Sequence, residues 1–143
     1  MKLDVILSAN VSHYIYTAQT LQNAGYLKRY ICAIAITRPM QKLVAMLPRS
    51  WQLKLRAREI LALDPRRVRM IWLAELLQRS LPALHLLSSD RANWLNNYLY
   101  DFIARFWVQR CDIFHFINGV GLYSAQKARA NGSIIVCDIR TEY

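Results

Sequence analysis

The residues best suited to chemistry fall in short polar stretches that directly follow apolar runs. Asn10, Ser12 and His13 follow the first such run, and His115, Asn118 and Gly119 follow or close a later one. His115, set within Ile113-Phe-His-Phe-Ile117, is the candidate catalytic group, because an imidazole can gain or lose a proton near neutral pH. A lone His in so apolar a segment is more often a packed core residue, and that alternative stands beside the first. Asn118-Gly119 reads as a polar turn, with Gly121 permitting close approach of a ligand. Asn10, Ser12 and His13 sit where a helix begins, and free N–H groups there attract anions; equally, Asn10 and Ser12 can simply cap that helix. The loop Ser8-Ala-Asn-Val-Ser12 has no glycine-rich pattern, which argues against dinucleotide-dependent oxidoreductases and nucleoside triphosphatases. Cys32, Cys111 and Cys137 lack metal-ligand spacing, so reduced, packed thiols and no metal site are expected.

The elements that must position these groups alternate between short apolar strands and amphipathic helices. Leu3 to Ser8 reads as a buried strand, followed by a helix with Tyr14, Ala18 and Leu21 at helical spacing and Gly25 as its positive-φ stop. Tyr30 to Ile36 is a second strand. Met40 to Leu63 reads as two helices broken at Pro48, with Leu53, Ala57, Ile60 and Leu61 on one face of the second. Val68 to Leu73 reads as a third strand, with Arg66, Arg67 and Arg69 making it an edge strand or the approach to a helix, and His85 falls in a Leu-rich helical segment. From Asp90 a helix carries two adjacent rows, Trp94/Tyr98/Phe102/Phe106 and Leu95/Leu99/Ile103/Trp107, expected to be core, with Asp101 and Arg105 pairing on its polar side. Ile113 to Ile117, Tyr123 to Ala130 and Ile134 to Asp138 complete the series. Such alternation predicts an α/β, Rossmann-like parallel sheet with helices on both faces. Its ligand crevice would lie at the carboxyl ends of the strands, joining Ser8–Ser12, His115–Gly121 and Asp138–Tyr143 on one rim.

At 143 residues and 55% hydrophobic composition the chain suits one domain with a real core. No apolar run approaches the ~18 residues that span a bilayer, and Asp4 beside Lys2 speaks against a signal peptide, so a cytoplasmic protein is expected. Charge is concentrated: residues 28 to 79 hold 12 Lys or Arg against Glu59, Asp64 and Glu75, nine of the ten net positive charges. A surface this basic draws phosphates, whether of a nucleic acid, an anionic membrane or a substrate, or it is merely a solvated face. With Trp51, Leu53, Leu55 and Ile60 inside it, residues 40–69 have the composition of a peripheral contact with the inner face of an anionic membrane. Nucleic acid is the less expected partner, since no recognisable binding motif accompanies the charge.

Read together, the opening Lys2-to-Asn10 strand, the run Asp112-Ile-Phe-His115 and the closing Gly132-to-Asp138 strand resemble the N-terminal domain of family 4 glycosyltransferases of the GT-B fold. The resemblance spans nearly the whole chain and is loose from Thr37 to Ser89. It implies the acceptor half of a two-domain enzyme, with residues 1–143 a partial N-terminal domain and the donor-binding C-terminal domain absent. The implied reaction transfers a sugar from a nucleotide-sugar to a lipid-linked or other acceptor, with retention and without cofactor; residues 1–143 alone would be inactive. Family members often carry a second His two residues after the first. Ile117 stands there in this chain, so that residue's role is absent or moved to Asn118. The segment after the last strand is also similar, and by that likeness Arg140 would pair with a phosphate or carboxylate and Glu142 with a sugar hydroxyl or a cation; equally, both read as ordinary solvent-exposed loop charges. The alternative is a non-catalytic small-ligand or nucleic-acid-binding α/β module.

Overall fold

The computed structural model describes residues 3–10, 14–56 and 58–139. Five parallel strands, β1 (Val5–Ala9), β2 (Leu27–Cys32), β3 (Val68–Met70), β4 (Ile113–Ile117) and β5 (Ile134–Asp138), form one sheet in the order β3-β2-β1-β4-β5. Every residue of β1 is buried, as a central parallel strand covered on both faces requires. The chain runs outward from β1 to β3, returns across the sheet, and runs outward again through β4 to β5. With right-handed crossovers, this reversal places helices on both faces and opens a switch point between β1 and β4. The expected α/β, Rossmann-like class is the one observed.

Helix α1 (Tyr14–Asn23) joins β1 to β2 and stops before Gly25, whose φ of 79° is the left-handed turn expected there. Between β2 and β3 lie α2 (Gln41–Ala45) and α3 (Arg49–Arg56), separated at Pro48 as expected, although α3 ends seven residues before Leu63. Ile60 is buried, whereas Leu53 faces solvent. β3 is an edge strand, as its arginines suggested, but it stops at Met70; Trp72 to Ala83 form α4, with Pro82 tolerated in the last turn. His85 is not helical: it sits just beyond α4 with φ 55°. α5 (Ser89–Ala104) and α6 (Leu122–Ala130) complete the fold. None of the helices among the described residues is long and apolar enough to cross a membrane.

The core gathers Ile6, Leu7, Leu27, Ile31, Tyr100 and Phe114 around the middle of the sheet. Tyr100 of α5 reaches over the sheet to donate to the Ile31 carbonyl at 2.8 Å, and its hydroxyl also meets Ser8 Oγ at 3.2 Å. The amino ends of the strands are tied by Asp112, whose Oδ2 accepts the Asp4 N–H at 2.7 Å, while Lys28 pairs with Asp4 at 2.9 Å. Asp112 therefore braces the end of the sheet opposite the candidate rim.

Two expectations for α5 are overturned. Its buried residues are Ala92, Asn96, Tyr100, Asp101 and Ala104, while Trp94 and Phe106 are 67% and 65% exposed. The Trp94/Tyr98/Phe102/Phe106 row is an outward ladder, with Trp94 and Tyr98 stacked at 5.5 Å; the other row, through Leu99, Ile103 and Trp107, does lean on the core. The buried face of α5 instead carries small residues and Tyr100, whose hydroxyl reaches Ser8 and the Ile31 carbonyl of the sheet. Nor does Asp101 pair with Arg105. Asp101 caps α6, and the Arg105 guanidinium lies over the Phe102 and Phe106 rings at 4.0 and 4.7 Å.

Candidate functional site

Parallel strands carry their loops at one rim, so the carboxyl ends of β1, β4 and β5 converge near the switch point. In β4 the alternation of side chains sends His115 and Ile117 to one face and Phe114 and Phe116 to the other. The register pairs His115 with Val136 and Ile117 with Asp138, which puts His115 and Asp138 on the same face of neighbouring strands. The first residue of α1 closes over them. The Tyr14 hydroxyl donates a short hydrogen bond to Asp138 Oδ2, and the Tyr14 ring meets the His115 imidazole edge-on, 6.1 Å between centroids. A phenol, an imidazole and a carboxylate from three elements thus share one end of the sheet.

His115 is half-buried, and none of the hydrogen bonds among the described residues uses its ring nitrogens. Burial lowers its pKa from the usual value near 6.5, and the Asp138 charge opposes that shift without overcoming it. The imidazole is accordingly neutral at pH 7, with one nitrogen able to accept and the other to donate.

The remaining expected site residues divide. Asn10 follows β1, but its side-chain amide donates to Asn97 Oδ1 of α5 at 3.0 Å, so it is engaged with that helix rather than pointing free. Asn118 and Gly119 form an exposed turn, Gly119 at φ 94°, with the Asn118 N–H donating to the Asp138 carbonyl at 2.9 Å. They border an open cavity of ≈ 810 Å³ on the face opposite His115, which Trp94, Tyr98, Phe116 and Cys137 also line. Gly121 serves this protein's own packing rather than a ligand: a Cβ built there would lie 1.9 Å from the Phe116 ring. Ser12, His13, Arg140 and Glu142 lie outside the described residues.

Three participants were not anticipated. Tyr14 read as an ordinary apolar helix position, and nothing local distinguishes it. Asn96 and Asn97 could have been noticed as adjacent amides within an otherwise aromatic helix. Asn96 is 5% exposed and its Oδ1 finds no hydrogen-bond partner among the described residues, next to the Asn10–Asn97 pair. Of the cysteines, Cys32 and Cys111 are buried as expected, but Cys137 is exposed; all three are free. Among the described residues, no cluster of His, Cys, Asp and Glu is arranged to hold a metal ion.

Comparison with protein-family models, with curated proteins and with solved structures finds no match to this chain.

Proposed function

We propose that this chain is the acceptor-side domain of a retaining glycosyltransferase of the two-domain GT-B kind, similar to family 4. A nucleotide-sugar held by a second α/β domain is the donor, no cofactor takes part, and the acceptor sits against the carboxyl rim of the sheet. The observation that supports this most is His115: a neutral, half-buried imidazole whose nitrogens are not engaged by any hydrogen bond among the described residues, beside the switch point, walled by a tyrosine that Asp138 holds in place. A histidine retained only for packing would be expected deeper and hydrogen-bonded.

In this reading His115 accepts a hydrogen bond from the acceptor hydroxyl and aligns its oxygen with the donor's anomeric carbon. Tyr14 and Asp138 shape one wall, while Arg140 and Glu142 meet polar groups of the acceptor or donor. Closure of the two domains excludes water, which would otherwise compete with the acceptor. Three free cysteines fit a reducing, cytoplasmic setting.

A non-catalytic small-ligand module is the second reading, favoured by the ≈ 810 Å³ cavity on the opposite face. Turnover separates the two. With its donor-binding domain in place, the enzyme should transfer sugar from one member of a nucleotide-sugar panel. His115→Ala should lower kcat/KM about a hundredfold through lost alignment, whereas His85→Ala, in an exposed turn, should leave it unchanged. Residues 1–143 alone should show no turnover. Equal effects of the two substitutions, or transfer by residues 1–143 alone, would refute the proposal.

A further inference from the structure

The connection between β2 and β3 carries the two helices, α2 and α3, that bury no residue among those described. Their exposed side are not those of an ordinary solvated turn. Met46 is 84% exposed, Leu43 66%, Trp51 61% and Leu53 58%, with Leu47 partly exposed between them. Lys42, Arg49, Lys54 and Arg56 are interspersed, and among the described residues none of the four takes part in an ion pair. The sequence contains no Asp or Glu between Asp4 and Glu59. The hairpin is nonetheless built firmly. Gln52 Nε2 donates to the Ala45 and Leu47 carbonyls at 3.1 and 2.8 Å, closing α3 on α2. Its base is held by a bridge between Ile36 and Glu59 and by Arg58, which pairs with the buried Glu75 at 2.5 Å.

From this arrangement we infer that the α2–α3 hairpin is a docking element for the surface of an anionic lipid bilayer. Apolar groups and unpaired cations on one preformed projection match a leaflet: Leu43, Met46, Trp51 and Leu53 enter the headgroup and acyl boundary, and the long basic chains extend back to lipid phosphates. Charge complementarity decides the occupant. A neutral apolar partner would leave four cations without counter-charge, and a simple polyanion would leave the apolar groups in water. The contact is narrower than the whole basic segment, because three of its arginines are already used: Arg58 holds Glu75, Arg67 donates to the Leu27 carbonyl, and Arg69 donates to the Arg66 and Val68 carbonyls. The inference stands independently of glycosyl transfer.

The test uses the 143-residue protein with phosphatidylcholine vesicles, with and without phosphatidylglycerol. It should sediment only with the anionic vesicles at low salt, be released as salt rises, and show Trp fluorescence quenched by brominated lipid, with Trp51→Phe removing most of the quenching. Arg49→Glu with Arg56→Glu should lower partitioning by roughly tenfold or more. Leu43→Ser with Leu53→Ser should lower it comparably, and both double variants should retain the wild-type circular dichroism and melting transition. Failure to bind anionic vesicles at low salt overturns the inference. So does binding that the charge variant abolishes but the apolar variant leaves intact, which would mark the hairpin as a site for soluble polyanions.

Discussion

Replacing Asp101 by alanine tests how the loop after β4 is held in place. Asp101 is 3% exposed, and its carboxylate accepts the Tyr123 N–H at 2.6 Å, the Ser124 N–H at 3.1 Å and the Ser124 hydroxyl. It thus caps α6 from a different helix, meeting N–H groups that the first turn cannot satisfy internally. Loss of an ordinary N-cap costs about 1 kcal/mol, and each hydrogen bond to a charged group about 1.5–3. Because Ser124 is fully buried, water cannot replace the lost acceptor. Asp101→Ala should therefore destabilise the domain by roughly 3 kcal/mol, a large part of a typical total of about 5–15. Asp101→Asn keeps an acceptor oxygen and should cost roughly 1 kcal/mol. Urea denaturation followed by circular dichroism gives both values, and amide exchange at Tyr123 and Ser124 should accelerate in the alanine variant before global unfolding. An alanine variant within about 0.5 kcal/mol of wild type, or an asparagine variant as unstable as the alanine one, would refute the capping role.

Four further outcomes follow from the same geometry. Burial alone would raise the Glu75 pKa, but hydrogen bonds and charge from Arg58 and then Arg79 outweigh it and hold the carboxyl below its usual range. Glu75 therefore contributes stability above about pH 4.3 that is lost as pH falls through its depressed pKa; Glu75→Gln should cost roughly 2 kcal/mol at neutral pH, a deficit that shrinks on acidification, and a deficit independent of pH would contradict this. His115 should titrate by NMR with a midpoint below about 6.5. Its neutral form is the one the fold favours, so its contribution to stability is present above that pH and declines below it; a midpoint above 6.5 would overturn the assignment. Gly121→Ala forces the Phe116 ring aside and should cost about 1–3 kcal/mol, whereas Gly132→Ala meets no neighbouring atom within 4 Å and should suffer only from its φ of 86°; equal crowding shifts in the Phe116 ring resonances would count against this. Of the three thiols, exposed Cys137 should react first with a maleimide in the native protein, while Cys32, buried and with its pKa pushed up to about 12 mainly by desolvation, should react only on unfolding.

Local patterns in the sequence determined the alternation of strands and helices, the extents of β4 and β5, the break at Pro48 and the stop at Gly25, because these depend on side-chain period and backbone preference within a few residues. The placement of His115 within a strand was legible for the same reason, although it lies in the middle of β4, two residues before the last, Ile117, and not at the strand's end; parallel order followed from the alternation. What periodicity could not choose was which face of α5 is buried: two apolar rows compete, yet the buried positions are Ala92, Asn96, Tyr100 and Ala104, with Tyr100 reaching Ser8 of β1 and the Ile31 carbonyl of β2. Asp101 turned inward because α6 begins beside it and brings uncapped N–H groups, a demand written 22 residues away. Tyr14 and Asp138, 124 residues apart, form one wall of the candidate site only because the sheet brings the start of α1 to the end of β5. The exposure of Trp51 and Leu53 was likewise a tertiary outcome: α3 closes on α2 through Gln52 rather than on the sheet, so apolar side chains that the sequence allowed in the core remain at the surface.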